Sequence, residues 1–227
     1  MADTQKFMDA VRNGEVAAVK ALLQDEPALA AGRDENGLSA VLNARYRGRA
    51  EVLEALLAAD PELTLWEAAA VGRVDRVREL LRRDPSLAHS YSPDGFAMLH
   101  AAYFAPPEVI ELLLAGGADP NAVSKNAMAL RPLHSAASTG NPRNVELLLK
   151  AGADANARQH GAWTALHAAA QSGNLAVAQL LLEHGAESDP ANDAGQTAIG
   201  LAREKGHTAV VELLEKASQK KSSQRAG

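Results

Sequence analysis

Seven histidines are the side chains of this chain best suited to metal binding or proton transfer, and three of them, His100, His134 and His167, recur at the same place in a repeating phrase. A zinc site would need each ligand nitrogen within ~2.1 Å of one ion. Equivalent positions on adjacent packed helices stand ~8–10 Å apart, so three residues related by the repeat cannot converge. Ser135 sits beside His134, which suggests a nucleophile and its base, but consecutive residues on a helix do not face one another. His184 and His207 occupy turn positions of the same pattern, and His89 and His160 fall in predicted loops without an identifiable partner. The chain has no cysteine, hence no thiolate ligand, thiol nucleophile or disulfide framework. It also lacks a glycine-rich phosphate loop and any pair of carboxylates at catalytic spacing. These residues imply no metal, no cofactor and no catalysis.

The elements that must carry these residues follow from the repetition itself. LHAAYFAPPEVIELLLAGGADPNA spans 99–122, LHSAASTGNPRNVELLLKAGADANA spans 133–157 and LHAAAQSGNLAVAQLLLEHGAESD spans 166–189. In each, a first helix of small apolar residues, as in Leu166, Ala168, Ala169 and Ala170, ends at a glycine such as Gly173, the residue that best tolerates the left-handed backbone beyond a helix end. A second helix starts at once. Asn141 can cap it and Pro142 suits its first position, while Val145, Leu147, Leu148 and Leu149 define one buried stripe. About ten polar or turn-prone residues, ending near Trp163, then leave room for a projecting hairpin.

Trp163-Thr164-Ala165-Leu166-His167-Ala168-Ala169-Ala170, Gly173, Leu180-Leu181-Leu182 and Gly185-Ala186 together resemble the ankyrin repeat. That resemblance implies an all-α solenoid of stacked helix-turn-helix units with projecting β-hairpin loops. It also implies a buried structural role for the repeated histidine, bonded to nearby backbone. Partners of such proteins are held by hairpin tips and by exposed residues just before each turn glycine, on the concave side.

The register is read from the turn residues Gly14, Gly48, Gly72, Pro106, Gly140, Gly173 and Gly206, which predict about seven helix pairs in one domain over 1–217. The interval from Gly48 to Gly72 is only 24 residues against 33 or 34 elsewhere, so the third unit is expected to lack its hairpin and to leave a gap near Trp66. Pro106-Pro107 and one deleted residue predict a tighter corner in unit four. Units one and seven read as caps, because the ends of a stack must cover an otherwise bare apolar face. Residues 218–227, SQKKSSQRAG, read as a disordered basic tail whose Lys220, Lys221 and Arg225 are solvated.

Composition is that of a soluble folded chain, with 47% hydrophobic, 22% charged and only 4% aromatic residues, so the core must be Ala, Leu and Val. A formal charge of -5 gives no basic face for nucleic acid or acidic lipid. The start, MADTQKFMDAV, has no signal-peptide pattern, and no stretch approaches the ~18 apolar residues of a membrane span. The expected location is the cytoplasm, and the expected state a monomer.

Partner-binding candidates follow from the two positions that the resemblance singles out. The hairpin tips carry Leu38, Phe96, Leu130, Trp163 and Gln196, four of them large and apolar where a loop is ordinarily polar. Before the turns stand Tyr46-Arg47, Ala70-Val71 and Phe104-Ala105, then polar pairs in the second half. Tyr46, Arg47, Phe96, Phe104, Leu130 and Trp163 are therefore the candidate contacts to another protein, of types that dominate interface energetics. Three alternatives stand beside this: Phe96 and Trp163 only staple adjacent units while Tyr103 and Phe104 fill space left by the short unit four; the tips form a homo-oligomeric seam; or the gap near Trp66 binds a small molecule or houses an enzyme site.

Overall fold

A computed structural model describes the backbone of residues 2–225 and the side chains of residues 4–98 and 101–220. The side chains of Leu99, His100, Lys221 and Arg225 thus lie outside the described residues. Six pairs of consecutive helices are α1 (Ala2–Asn13) with α2 (Val16–Asp25), α3 (Ala40–Tyr46) with α4 (Ala50–Ala58), α5 (Leu65–Ala70) with α6 (Val74–Arg83), α8 (Pro132–Thr139) with α9 (Pro142–Lys150), α10 (Ala165–Ser172) with α11 (Leu175–Glu183), and α12 (Ala198–Glu204) with α13 (Thr208–Arg225). The fourth unit of the stack pairs a 3-10 helix, Met98–Tyr103, with α7 (Pro107–Ala115). First helices pack on first helices and second on second, which makes the described chain an all-α solenoid.

The core is a single ribbon of small and aliphatic side chains, from Phe7 and Val11 through Leu56, Val77, Ile110 and Leu148 to Val177 and Leu214, each buried. Alanines at 0% exposure, Ala44, Ala69, Ala136 and Ala169, line the contacts between first helices. Their small side chains let these helices approach closely, while the leucines and valines of the outer helices fill the wider space behind. The asparagine cap reads as the sequence suggests, since the Asn141 side chain accepts from the backbone N–H groups of Arg143 and Asn144.

Between units the chain throws out fingers. Isolated antiparallel bridges close those at Arg33–Ser39, Tyr91–Ala97 and Ala191–Thr197. Neighbouring fingers are tied by backbone bonds from Lys125 N to Gly95 O, His160 N to Met128 O and Asp193 N to Gly161 O. Asn121 and Asn156 stitch their bases in the same way: each side-chain amide donates to a glycine carbonyl one unit on, Gly152 or Gly185, and its oxygen accepts from Asp154 N or Glu187 N.

Two places depart from the regular stack. From Ala58 to Leu65 the chain passes from α4 to α5 with no finger, only the connection 59–64. In unit four the first helix winds as a 3-10 helix, with Phe104 N and Ala105 N both bonded to Ala101 O before Pro106 starts the turn into α7. The segment from 218 on, expected as a disordered tail, is described as helix as far as Arg225. Gln, Lys and Arg are good helix formers, and residues added to an existing helix avoid the cost of nucleation.

Candidate functional site

The missing finger is where the concave side changes character. With no finger before α5, the fingers before and after it are neighbours, and a Cβ placed on Gly37 would meet the ring of Pro93 at 3.9 Å. Next to this place, under the fingers that carry Asp94 and Phe96 and then Met128 and Leu130, lies a cavity of about 310 Å³ lined by Tyr46, Trp66, Asp94, Phe96, Tyr103, Phe104, Met128, Leu130 and Ser135. Tyr46 ends α3, Trp66 lies in α5, Tyr103 and Phe104 close the 3-10 helix, Ser135 belongs to α8, and the rest come from two fingers. Five of the chain's eight aromatic residues meet here, in a protein whose aromatic content is 4%.

The rings are packed on one another. Tyr46 stacks on Phe104 with centroids 5.4 Å apart and planes 13° from parallel, and Tyr103 meets the same ring edge-on at 4.6 Å. The guanidinium of Arg45 lies 4.9 Å from the Phe104 centroid and donates to the carbonyls of Ala70 and Phe104. Burial, and after it the charge of Asp94, pushes the Tyr46 hydroxyl above its ordinary pKa. Trp66 is almost wholly buried, yet its indole Nε1 meets no acceptor. Tyr103 and Met128, by contrast, are 49% and 53% exposed and form the accessible rim.

Four of the six residues singled out in the sequence, Tyr46, Phe96, Phe104 and Leu130, share this cavity. Arg47 is exposed beside it as the C-cap of α3, and does not line it. Trp163 is on the next finger along, half-buried, with its ring 5.2 Å from that of His167 in its own unit. Trp66, Asp94, Tyr103, Met128 and Ser135 were not singled out as contacts; Trp66, near which a gap was expected, lines the aromatic cavity. A separate hollow of about 800 Å³ lies between units two and three, lined by Leu57, Asp60, Glu62, Leu63, Arg73 and Arg76 among others. Arg76 spans it, bonded to Leu63 O, Glu62 and Glu79.

The two repeated histidines among the described side chains, His134 and His167, face inward and hold backbone. His134 Nδ1 accepts from Arg131 N at 3.0 Å, so Nε2 carries the proton and donates to Ala157 O at 3.0 Å. His167 does the same with Thr164 N at 3.1 Å and Gln196 O at 3.3 Å. Burial pushes both imidazoles below their ordinary pKa, partly opposed by those carbonyl bonds. Among the described residues no three His, Asp or Glu side chains stand close enough to share a metal ion. His207 Nε2 reaches Gln171 O at 3.1 Å, a backbone contact to the unit before.

In unit three Glu67 stands where the repeat has histidine. Its Oε2 accepts from Thr64 N at 2.7 Å and Thr64 Oγ1 at 2.8 Å, closing a capping box at the start of α5. Its Oε1 takes Arg33 from the first finger at 3.1 Å. Thr64-x-x-Glu67 is a legible capping signature, and it fixes the short helix that carries Trp66 into the cavity.

Comparison with known proteins agrees with this geometry. The profile of the ankyrin repeats family, described as ankyrin repeats in three copies, matches residues 65–159 and 133–224. The chain belongs to the ankyrin repeat family. It is also 29% identical over 119 residues to the ankyrin repeat domain-containing protein SAT10 of Stachybotrys chartarum, a stretch covering 51% of this chain and 6% of that relative. The similarity therefore spans a small part of a much longer protein. Ankyrin repeats are in general protein–protein interaction modules, and no helix among the described residues is long and apolar enough to cross a membrane.

Proposed function

We propose that this protein is a non-catalytic scaffold that binds a partner protein on its concave side, at the aromatic cavity between the fingers and the first helices. The observation that carries this is the gathering of five aromatic side chains from three units around one cavity with an exposed rim. Repeat-to-repeat packing elsewhere in the same stack is done with alanine, leucine and valine, so the stack does not need that concentration of rings. Aromatic anchors around a partly desolvated pocket are the usual centre of a binding interface. Arg47 beside the cavity and Trp163 further along the fingers extend the same face. The -5 charge and absence of cysteine suit a cytoplasmic monomer, which light scattering across concentration checks.

The test uses the rim, where substitution spares the core. Tyr103→Ser with Met128→Ser should weaken retention of a captured partner at least about tenfold, in line with the loss of interface anchors, with the melting temperature nearly unchanged. Leu175→Ser, on an outer helix and 41% exposed, should leave retention intact. Full retention by the rim variant refutes the assignment. Phe104→Ala is a poor probe, because Phe104 also supports Tyr46, Tyr103 and Arg45 and its loss would lower stability.

A further inference from the structure

Charge is unevenly placed in the aromatic cavity. Asp94 is the one residue with a formal charge among those lining it; the rest are five rings, Met128, Leu130 and Ser135. The faces of aromatic rings are electrostatically negative and attract cations within about 6 Å of the centroid. One cation already illustrates this, the Arg45 guanidinium over Phe104. That group is held by two backbone carbonyls and leaves Asp94 without it.

The Asp94 carboxylate accepts from the Ser92 hydroxyl through Oδ1 and has no arginine or lysine partner among the described residues. Its field reaches the opposite wall, where it adds to the burial that raises Tyr46. A negatively charged group beside ring faces, in a chain of net charge -5, is complementary to a positive visitor. The cavity of about 310 Å³ lies at the small end of the ~300–1,000 Å³ of ordinary ligand pockets, enough for one long side chain and too little for a dinucleotide. A single ammonium needs one carboxylate oxygen and a ring face, and Asp94, whose Ser92 bond is made through Oδ1, offers Oδ2 beside the rings.

Resting on the partner-binding assignment above, we infer that the cavity receives a lysine side chain of the partner protein, its methylene stem against the rings and Leu130 and its ammonium turned toward Asp94. The occupant is thus a basic segment of a protein, recognised by shape and charge together.

Two small probes test this on the full chain: Nα-acetyl-lysine N-methylamide, and its norleucine counterpart, which keeps the apolar stem and lacks the ammonium. The chain's two tryptophans make indole N–H signals in NMR a built-in comparison, Trp66 in the cavity wall and Trp163 outside it. The lysine probe should shift Trp66 saturably and leave Trp163 in place, with norleucine at least about fivefold weaker, as expected for a partly desolvated cation–ring contact. Asp94→Asn, checked for unchanged melting, should bring the two probes within about twofold of each other. Equal affinity of the two probes in the wild type, a lysine preference that survives Asp94→Asn, or no movement of Trp66 by the lysine probe would each overturn the inference. Loss of partner capture in the Tyr103/Met128 variant together with equal probe affinities would leave the binding face standing and refute only the lysine. Retention of the partner by that variant removes the binding face itself.

Discussion

Glu67→Ala should destabilise the protein by about 2–4 kcal/mol, through the loss of a buried cap and its hydrogen bonds. The carboxylate is 3% exposed and accepts three hydrogen bonds, two from Thr64 and one from Arg33. A lost N-terminal cap costs ~0.5–2 kcal/mol, and a hydrogen bond to a charged group ~1.5–3 kcal/mol. Two features lower the sum: Thr64 is exposed and can bond to water in the variant, and Arg33 is 43% exposed, so its ion pair contributes only ~0.5–1 kcal/mol after screening. Urea denaturation followed by both far-ultraviolet circular dichroism and tryptophan fluorescence measures the loss, the second signal including Trp66, the residue before Glu67. Coupling to Arg33→Ala in a double-mutant cycle should be ~0.5–1 kcal/mol. Glu67→His should keep most of the stability, since His134 and His167 accept the equivalent backbone N–H from the same place in their units. A loss below about 1 kcal/mol for Glu67→Ala, or a Glu67→His variant as weak as the alanine, would refute the capping role.

Acid should weaken the fold through the buried histidines. Their folded pKa values lie below the ordinary ~6.5, so the unfolded chain binds protons that the folded chain does not; stability from this source is whole above about pH 6.5 and is lost as pH falls below it toward the folded values. His134→Gln should flatten the pH dependence of the urea midpoint in that range, and an unchanged slope would contradict the assignment. Gly173→Ala should cost about 2–3 kcal/mol, from ~1–2 kcal/mol of left-handed strain at φ +70° plus displacement of His207, whose Nδ1 would lie 2.5 Å from the new Cβ. Gly206→Ala, at φ +74° with nothing within 4 Å, should cost only the strain, ~1–2 kcal/mol. Equal midpoints for the two variants would show that the His207 contact is unimportant.

The amino-acid pattern alone determined the helical units, their turns and the inward His134 and His167, because each depends on contacts within one unit or with the next. Asn141 before Pro142, glycine after every first helix but that of unit four, and a Leu-His phrase at a steady interval act locally, and a stack built from nearest neighbours adds them up. The 24-residue interval likewise marks a connection too short for a finger. Tyr46, Phe96, Phe104 and Leu130 could be placed on the concave side by counting from the turns. Their meeting in one cavity could not, nor could the part played by Trp66, Asp94, Tyr103, Met128 and Ser135, because it depends on how two consecutive fingers sit over the first helices of three units and on which rotamers the rings adopt when stacked. Trp163 and Phe96 look alike as tip residues in one dimension, yet one packs on its own unit's histidine and the other lines the cavity. Periodicity records what each unit shares with its neighbours; the cavity arises where that sharing is interrupted, and only the packed arrangement of several units in three dimensions decides its shape and charge.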